Sequence, residues 1–295
     1  MISMKEKLVS WLFQTDALKV SPGDKPFWYT SGTIGPYYIN THFLYGSVQK
    51  ANDILEFINR EKDSKSALPA KLLEIMLKNY EEDSIFKELV INMCQFITDN
   101  INIEEIDYIS GGERRDWFFS IIIANKLQKP HISIFKDLSI VVTKDKQLEE
   151  LENLKDKNIL HIADLITEGS SYERAWIPVI ENLGGNMKWS VVVVDRLQGG
   201  ANMLERKDVK PFAMIGIDKS LFERSLSLGL INREQYNMIV SYIDDPRGSM
   251  KRFLQENPEF LKNALASDEK TKERAKLCLE KNNYDLDASQ YSQDI

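Results

Sequence analysis

Cysteine is scarce in this sequence. Cys94 and Cys278 are the only two cysteines, and they lie far apart in the chain. Two such residues are too few for a disulfide framework, and their separation does not fit a CxxC metal site. This usage favours a reducing compartment, and we expect a cytoplasmic protein.

Long apolar runs are absent as well. No stretch approaches the roughly 18 consecutive apolar residues that a membrane-spanning helix requires. Residues 1–13 carry Lys5 and Lys7 ahead of a very short apolar patch, without the apolar length or small-residue cleavage site of a signal peptide. We therefore expect no membrane partner.

Positive charge is in deficit. The chain has 38 Lys and Arg against 45 Asp and Glu, which gives a formal net charge of −7. Nucleic-acid-binding proteins need clustered lysine and arginine to displace phosphate counterions, so the charge argues against such a partner. The hydrophobic fraction of 43% is ample for a folded core, and 295 residues allow one large domain with additions or two small ones.

Apolar, β-branched runs predict buried strands of a parallel sheet at residues 132–135, 159–162 and 191–194. A further strand is predicted at residues 106–109. Residues 172–183 have helical periodicity and end at Gly184 and Gly185. Strand, helix and strand in this order predict right-handed βαβ units and thus an α/β fold.

Two other regions have helical patterns. Residues 48–100 are rich in Leu, Ile, Glu and Lys, with apolar residues at helical spacing, and predict a helical insertion. From Ser220 onward the pattern is helical and charged, with a break at Asp245 and Pro246 and a polar tail after Asn282. We interpret this region as a helical extension with a frayed end.

The most informative segment is residues 159–171, ILHIADLITEGSS. A buried strand ends near Asp164, and a loop of Thr, Gly and Ser then opens a helix. Free backbone N–H groups at a helix start, hydroxyl groups, and a glycine that allows close backbone approach all favour an anion. Because Asp164 could accept hydrogen bonds from sugar hydroxyls, the segment predicts a site for a ribose 5-phosphate.

Plainer interpretations of the same residues stay open. Ser170 or Ser171 could merely cap the helix that follows, as such residues often do. His161, in mid-strand, is expected to be a core residue. Glu168 suits a helix start but would repel a phosphate unless its side chain turns outward.

This segment resembles the phosphoribosyl pyrophosphate motif of type I phosphoribosyltransferases, an apolar strand leading into an acidic pair and a Thr-x-Gly-x-Ser/Thr loop. Residues 27–40, FWYTSGTIGPYYIN, resemble the amino-terminal hallmark of orotate phosphoribosyltransferases, and residues 191–200, VVVVDRLQGG, resemble that family's strand ending in Asp-Arg and a glycine pair. The three segments occur in the family's order. The resemblance implies a type I phosphoribosyltransferase-like parallel sheet flanked by helices, with a helical insertion and a helical carboxyl-terminal extension.

The resemblance also implies site residues. The phosphoribosyl group would be bound by Asp164, Thr167, Glu168, Gly169, Ser170 and Ser171. The base would be bound by Ser31, Gly32, Tyr37 and Arg196, whose guanidinium group can satisfy carbonyl and carboxylate oxygens. On structural grounds Arg196 could instead be a surface ion-pair partner and Tyr37 a core aromatic.

A fourth segment, residues 109–117 (ISGGERRDW), follows a predicted strand. In the family this position holds the diphosphate loop, which implies diphosphate binding by Gly111, Gly112 and Arg115. A glycine turn with solvated arginines is the alternative. The implied catalytic residues are Asp164, Lys136 and Arg115, and the implied cofactor is Mg²⁺, carried by the diphosphate without a direct protein ligand.

The sequence departs from the family in two places. Ala163 stands where the family usually has the first residue of an acidic pair. The family's mobile loop supplies a Lys/Arg cluster and a His-Gly, whereas residues 138–157 contain no His or Gly. Lys144 and Lys146 are candidate replacements, and residues 147–154 predict a short acidic helix.

The resemblance implies transfer of a phosphoribosyl group from phosphoribosyl pyrophosphate to orotate, by a homodimer. A non-catalytic phosphoribosyl pyrophosphate sensor or scaffold, or a transferase for another base, are the alternatives. We predict that the chain divides into four segments. They are residues 1–47, an amino-terminal helix and base-binding hood; 48–103, the helical insertion; 104–218, the α/β core; and 219–295, the helical extension.

Overall fold

The structure is a computed structural model that describes residues 3–22 and 25–286. Its strands are β1 (Leu18–Val20), β2 (Phe27–Trp28), β3 (Ile34–Gly35), β4 (Tyr37–Ile39), β5 (Tyr108–Gly112), β6 (His131–Ile134), β7 (Ile140–Lys144), β8 (Gln147–Glu149), β9 (Asn158–Ile166), β10 (Asn186–Asp195) and β11 (Lys210–Gly216). Its α-helices are α1 (Met4–Gln14), α2 (Val48–Glu61), α3 (Leu68–Glu82), α4 (Ser84–Asn100), α5 (Trp117–Lys126), α6 (Ile177–Asn182), α7 (Gly200–Glu205), α8 (Lys219–Ser227), α9 (Arg233–Asp244), α10 (Pro246–Glu256), α11 (Pro258–Leu265) and α12 (Glu269–Glu280).

The chain forms two compact units. Within the described residues, the first unit comprises 3–17 and 40–217, and the second comprises 18–39 and 218–286. The amino-terminal segment therefore contributes to both units, while the helical insertion groups with the α/β core.

A sheet with the strand order β11-β10-β9-β5-β6-β7-β8 forms the centre of the first unit. The strands from β11 to β6 are parallel, and β7 and β8 continue the sheet as an antiparallel hairpin. The predicted strands are confirmed, although β5 begins two residues later than expected and extends to Gly112. Nearly every residue of β9 and β10 is buried, which is typical of central strands covered on both faces.

The predicted acidic helix at residues 147–154 is wrong. Residues Gln147–Glu149 form strand β8, which pairs with β7 from Val142↔Glu149 to Lys144↔Gln147. The connecting residues Asp145 and Lys146 both have positive φ, 47° and 69°. Two such residues form the tight turn that matches strand twist, but glycine usually marks that turn, so its absence here concealed the hairpin.

The predicted helical insertion is confirmed as α2, α3 and α4. Ser47 caps α2 by accepting a hydrogen bond from the Lys50 N–H, and Asp83 caps α4 in the same way from the Phe86 N–H. Both α3 and α4 pack on α5, which lies against β5, so the insertion covers one layer of the α/β core.

The second unit contains two short antiparallel strand pairs, β1 with β4 and β2 with β3, together with helices α8 to α12. The predicted break at Asp245 and Pro246 is confirmed, because α9 ends there and Asp245 accepts a hydrogen bond from the Gly248 N–H at the start of α10. The Tyr284 hydroxyl accepts a hydrogen bond from the Ile34 N–H at 2.8 Å. The predicted frayed end beyond residue 286 lies outside the described residues.

No helix in the described part of the chain is both long and apolar enough to cross a membrane.

Candidate functional site

Four chain segments meet at one edge of the central sheet. They follow the carboxyl ends of the neighbouring parallel strands β6, β5, β9 and β10. Ligands of open α/β sheets bind at this edge, because the loops there converge and helix N-termini point towards it. The structure therefore brings Lys136, Gly112, Arg115, Asp164 and Arg196 to the same side of the first unit.

The loop of residues 167–171 links β9 to a helix that runs through residues 170–182 and begins with a π-helical turn, Tyr172–Trp176. Gly169 has a φ of +81°, a conformation that side-chain-bearing residues rarely adopt. The Thr167 carbonyl accepts a hydrogen bond from the Gly200 N–H at 2.8 Å, which anchors the loop to the segment that follows β10. The loop is thus tied to the segment that follows β10.

The start of this helix is not capped by the Ser171 side chain, which makes no capping hydrogen bond within the described residues. Glu168, Ser170 and Ser171 are exposed, and Thr167 is half-buried. Backbone N–H groups that are neither capped nor covered are the groups that bind anions at helix starts.

The loop of residues 112–116 lies between β5 and α5. Its Glu113 N–H donates to the Ile134 carbonyl at 2.7 Å, and the Glu113 carboxylate accepts a hydrogen bond from the Lys136 N–H at 3.0 Å. A Cβ at Gly112 would lie 2.4 Å from the indole of Trp176, so only glycine fits beside the helix of the neighbouring loop. The side chains of Arg115 and Lys136 are exposed.

Asp164 lies in β9 with its side chain buried, and its carboxyl group contacts that of Asp116. Asp116 was missed by the sequence analysis. Its carboxylate accepts hydrogen bonds from two backbone N–H groups, that of Asp164 and that of Gly112, each at 3.1 Å. The contact joins residues 48 positions apart, and the only local signal was an acid at the end of a glycine-rich loop.

Burial raises the pKa of Asp164 well above its usual value, and the facing Asp116 carboxyl raises it further. Burial also raises the pKa of Asp116, although the hydrogen bonds that its carboxylate accepts from two backbone N–H groups lower that pKa in part. Arg115 lowers both pKa values by a smaller amount. Two carboxyl groups in contact cannot both ionise easily, so the pair holds a proton in the free protein.

His161 is a core residue, as expected. It is fully buried, its Nδ1 shares a hydrogen bond with the Ser110 hydroxyl at 2.9 Å, and its ring stacks on Trp176 at 4.5 Å. Burial lowers the pKa of His161 to about 3, so the ring is neutral. Its Nε2 lies 3.9 Å from the Asp116 carboxylate and has no hydrogen-bond partner within residues 3–22 and 25–286.

Several nitrogen atoms near this edge have no partner among the described residues. They include the Nε atoms of Arg114 and Arg196 and the Nδ1 of His42. Burial, together with the smaller effects of the nearby Arg115 and Arg114, lowers the pKa of His42 to about 3, which places His42 close to loop 112–116. Arg196 is half-buried and follows β10 directly, and in the described residues it has no ion-pair partner. The surface ion pair considered for Arg196 is therefore not formed.

The predicted base-binding residues Ser31, Gly32 and Tyr37 belong to the second unit. Ser31 is exposed and its hydroxyl shares a hydrogen bond with Thr33 at 2.7 Å. Gly32 is buried, and Tyr37 packs against the rings of Phe222 and Tyr242. Tyr37 thus has the surroundings of a core aromatic, and its role towards a base stays a prediction.

Lys144 and Lys146, the candidates for the cations of the family's mobile loop, lie on the β7–β8 hairpin and are exposed. Lys146 is 4.0 Å from the Glu74 carboxylate of α3. Lys65, which precedes α3, binds Asp137 and donates to the Ser139 hydroxyl at 2.9 Å, so the insertion holds the turn before β7.

The chain is similar to curated orotate phosphoribosyltransferases. It is 24% identical over 247 residues to that of Staphylothermus marinus, a match that covers 84% of this chain and 98% of the relative. It is 30% identical over 87 residues to that of Saccharolobus solfataricus, which covers 30% of this chain and 44% of the relative. No family model matches the chain. The relatives confirm the resemblance that the motifs predicted.

A solved structure shares the fold. Leishmania donovani UMP synthase matches with a TM-score of 0.52 and 15% identity, over 82% of this chain and 42% of the UMP synthase chain. The chain therefore spans less than half the length of that protein. The match confirms the predicted α/β fold, a mostly parallel sheet flanked by helices.

Gly169→Ala tests whether loop 167–171 holds a phosphate. Forcing alanine into positive φ costs about 1–2 kcal/mol. The matched control is Gly229→Ala, where φ is also positive, +70°, and nothing lies within 4 Å of the added Cβ. We expect both variants to lose thermal stability, Gly169→Ala by more because its added Cβ would crowd the Met203 side chain, but only Gly169→Ala should bind phosphoribosyl pyrophosphate about tenfold or more weakly by calorimetry. Equal affinities in the two variants would contradict a phosphate site in this loop.

The Asp116–Asp164 pair predicts how stability depends on pH. A raised folded-state pKa means that the native state holds more protons than the unfolded chain, so the stabilising contribution is present below about pH 4 and is lost as pH rises through the raised pKa values. Urea unfolding at a series of pH values should show this decline. Asp164→Asn, which cannot ionise, should flatten the profile, and an unchanged slope would show that the pair does not hold a proton.

Proposed function

We propose that this chain transfers a phosphoribosyl group from phosphoribosyl pyrophosphate to orotate, giving orotidine 5′-phosphate and diphosphate in pyrimidine biosynthesis. The proposal rests on the convergence of loops 112–116 and 167–171 and Arg196 at one sheet edge. It is supported by relatives named orotate phosphoribosyltransferase, one of which this chain matches over 98% of that relative's length.

The proposed reaction needs charge stabilisation more than a covalent nucleophile. As the C1–O bond of the sugar loosens, negative charge develops on the departing diphosphate, and preorganised donors lower the barrier when they already point at that charge. Arg115 and Lys136 have exposed cationic side chains at the ends of neighbouring strands, and Gly111 and Gly112 allow the backbone to approach the diphosphate. These residues would hold the leaving group.

The ribose 5-phosphate would occupy loop 167–171. Its 5-phosphate would accept hydrogen bonds from the uncapped backbone amides and from the hydroxyls of Thr167, Ser170 and Ser171. Glu168 is exposed, so its carboxylate can turn away from the phosphate. Asp164 would accept hydrogen bonds from the ribose hydroxyls and fix the orientation of C1 relative to the base.

In this proposal Mg²⁺ arrives with the diphosphate and has no direct protein ligand. Among the described residues, no group of three or more His, Cys, Asp or Glu could hold a metal ion. Mg²⁺ commonly binds through substrate phosphates with few protein ligands, so Gly111, Gly112 and Arg115 would hold it indirectly, through the diphosphate. When bound, the cation would supply neutralisation of the leaving group's charge.

Arg196 would recognise the base. A guanidinium group presents several donors in one plane, which suits the carbonyl and carboxylate oxygens of orotate. Its buried Nε has no partner in the described part of the chain and is available for such a ligand. A homodimer and a cytoplasmic location, implied by the resemblance and by the scarcity of cysteine, belong to the same proposal.

Turnover tests the proposed activity directly. Wild-type protein with Mg²⁺, orotate and phosphoribosyl pyrophosphate should release diphosphate, and a double variant with Asp164→Asn and Arg115→Ala should lose at least about 10²-fold in rate, because each removes a group placed where charge or orientation matters. Activity no greater than that of the double variant would sink the proposal. Binding of phosphoribosyl pyrophosphate without turnover of any nucleobase would point instead to a sensor, which the substitution at Ala163 and the altered loop motivate.

Arg196→Ala tests the choice of base. The KM for orotate should rise about tenfold or more, because a charged hydrogen bond is worth about 1.5–3 kcal/mol. The affinity for phosphoribosyl pyrophosphate should stay within about twofold of wild type, since loop 167–171 is unchanged. Arg206→Ala, an exposed arginine just after α7, is the control and should change neither value. Unchanged orotate kinetics in Arg196→Ala would contradict the assignment.

A further inference from the structure

Strands β5 and β9 separate at the site. Their pairing runs from Tyr108↔Ile159 to Ser110↔His161. Beyond that point β9 continues to Ile166, whereas β5 ends at Gly112 and the chain turns into loop 112–116. Where two strands diverge, backbone N–H groups lose their ladder partners and need other acceptors.

The Asp116 side chain supplies hydrogen-bond acceptors at the point where β5 and β9 separate. One carboxylate oxygen accepts the Gly112 N–H and the other accepts the Asp164 N–H, each at 3.1 Å. Asp116 is only 4% exposed, so these hydrogen bonds form in a poorly solvated environment, where losing one leaves an unsatisfied amide. A single carboxylate thereby ties the start of the diphosphate loop to the strand that carries Asp164.

The same carboxylate also contacts the Asp164 side chain. Asp164 therefore has both its backbone N–H and its carboxyl group in contact with one residue. Ala163, the preceding residue of β9, is fully buried and has no polar side-chain atom with which to orient its neighbour. The Asp164 carboxyl group is thus held by two neighbours, the backbone N–H of the adjacent Leu165 and the carboxyl group of Asp116, which reaches it from the start of another element.

We propose that Asp116 is a positioning residue for phosphoribosyl transfer, whose carboxylate sets the orientation of Asp164 and the distance between loop 112–116 and the strand β9. The inference rests on the proposed function and names a residue that acts through Asp164 and Gly112 without touching the substrate. Its effect concerns the sugar diphosphate, because both groups that it holds belong to that half of the site.

Asp116→Asn is the first test. The amide NH₂ cannot accept a hydrogen bond, so one of the two backbone N–H groups loses its partner while the side-chain shape is kept. A displacement of about 1 Å in a reacting group can cost about 10²-fold in rate. We expect kcat/KM for phosphoribosyl pyrophosphate to fall by about that factor, with the KM for orotate within about twofold of wild type.

Asp107→Asn is a matched control. Asp107 also connects the chain at β5 to β9, since its carboxylate accepts a hydrogen bond from the Asn158 N–H at 2.8 Å, but it does so at the opposite end of the two strands. If Asp116 only stabilised the fold, Asp116→Asn and Asp107→Asn should have similar kcat/KM values for phosphoribosyl pyrophosphate. Asp116→Asn kinetics that match those of Asp107→Asn would overturn the proposal.

A double-variant cycle tests the route of the effect. If Asp116 acts through Asp164, adding Asp116→Asn to an Asp164→Asn protein should change kcat/KM for phosphoribosyl pyrophosphate by much less than it does in the wild type. Fully additive losses would overturn the proposal. If Asp116→Asn does not fold, Asp116→Ser, which is smaller and keeps one acceptor, replaces it with the same expectations.

Calorimetry with phosphoribosyl pyrophosphate separates the two proposals. Wild-type protein that binds the ligand, together with unaltered binding and turnover in Asp116→Asn, would remove the role of Asp116 and leave the proposed function intact. Wild-type protein that binds no phosphoribosyl pyrophosphate would remove the proposed function and the role of Asp116 together.

Discussion

The parallel pairing of β9 between β5 and β10 is the constraint on which the candidate site depends. Because the three strands run in the same direction, their carboxyl ends lie at one edge, and the segments that follow them must meet there. A one-residue slip of β9 would turn Asp164 to the other face of the sheet. The nearly complete burial of β9 and β10 strongly specifies that register.

The two loops 112–116 and 167–171, which we propose to bind anions, are also connected to each other. Trp176, on the helix after loop 167–171, lies so close to Gly112 that no side chain fits there, and it stacks on His161 of β9. Asp116 of loop 112–116 adds a hydrogen bond to β9, because its carboxylate accepts the Asp164 N–H. Packing of Trp176 and the buried Asp116 carboxylate therefore both restrict how far loop 112–116 can move from β9 and from the helix that follows it. Such restriction is how a protein preorganises groups for charge stabilisation.

Buried acids in a site that we propose for anions require an electrostatic explanation. Two ionised carboxylates would repel a diphosphate, but Asp116 and Asp164 share a contact in which burial raises both pKa values. A pair that holds a proton presents less negative charge to the ligand. Ala163 removes a further carboxylate from this edge, while Arg115 on the adjacent loop supplies positive charge.

The sequence by itself determined the features that depend on neighbouring residues: the apolar runs of β6, β9 and β10, the loop 167–171 with Gly169, and the helical insertion. It did not reveal the role of Asp116, whose hydrogen bond to Asp164 crosses 48 residues of chain. The hairpin turn at Asp145 and Lys146 was also hidden, because its backbone conformation lacks the usual glycine. Only the tertiary structure decided these points, since local patterns specify strands and turns, whereas a side chain finds its distant partners after the sheet has assembled.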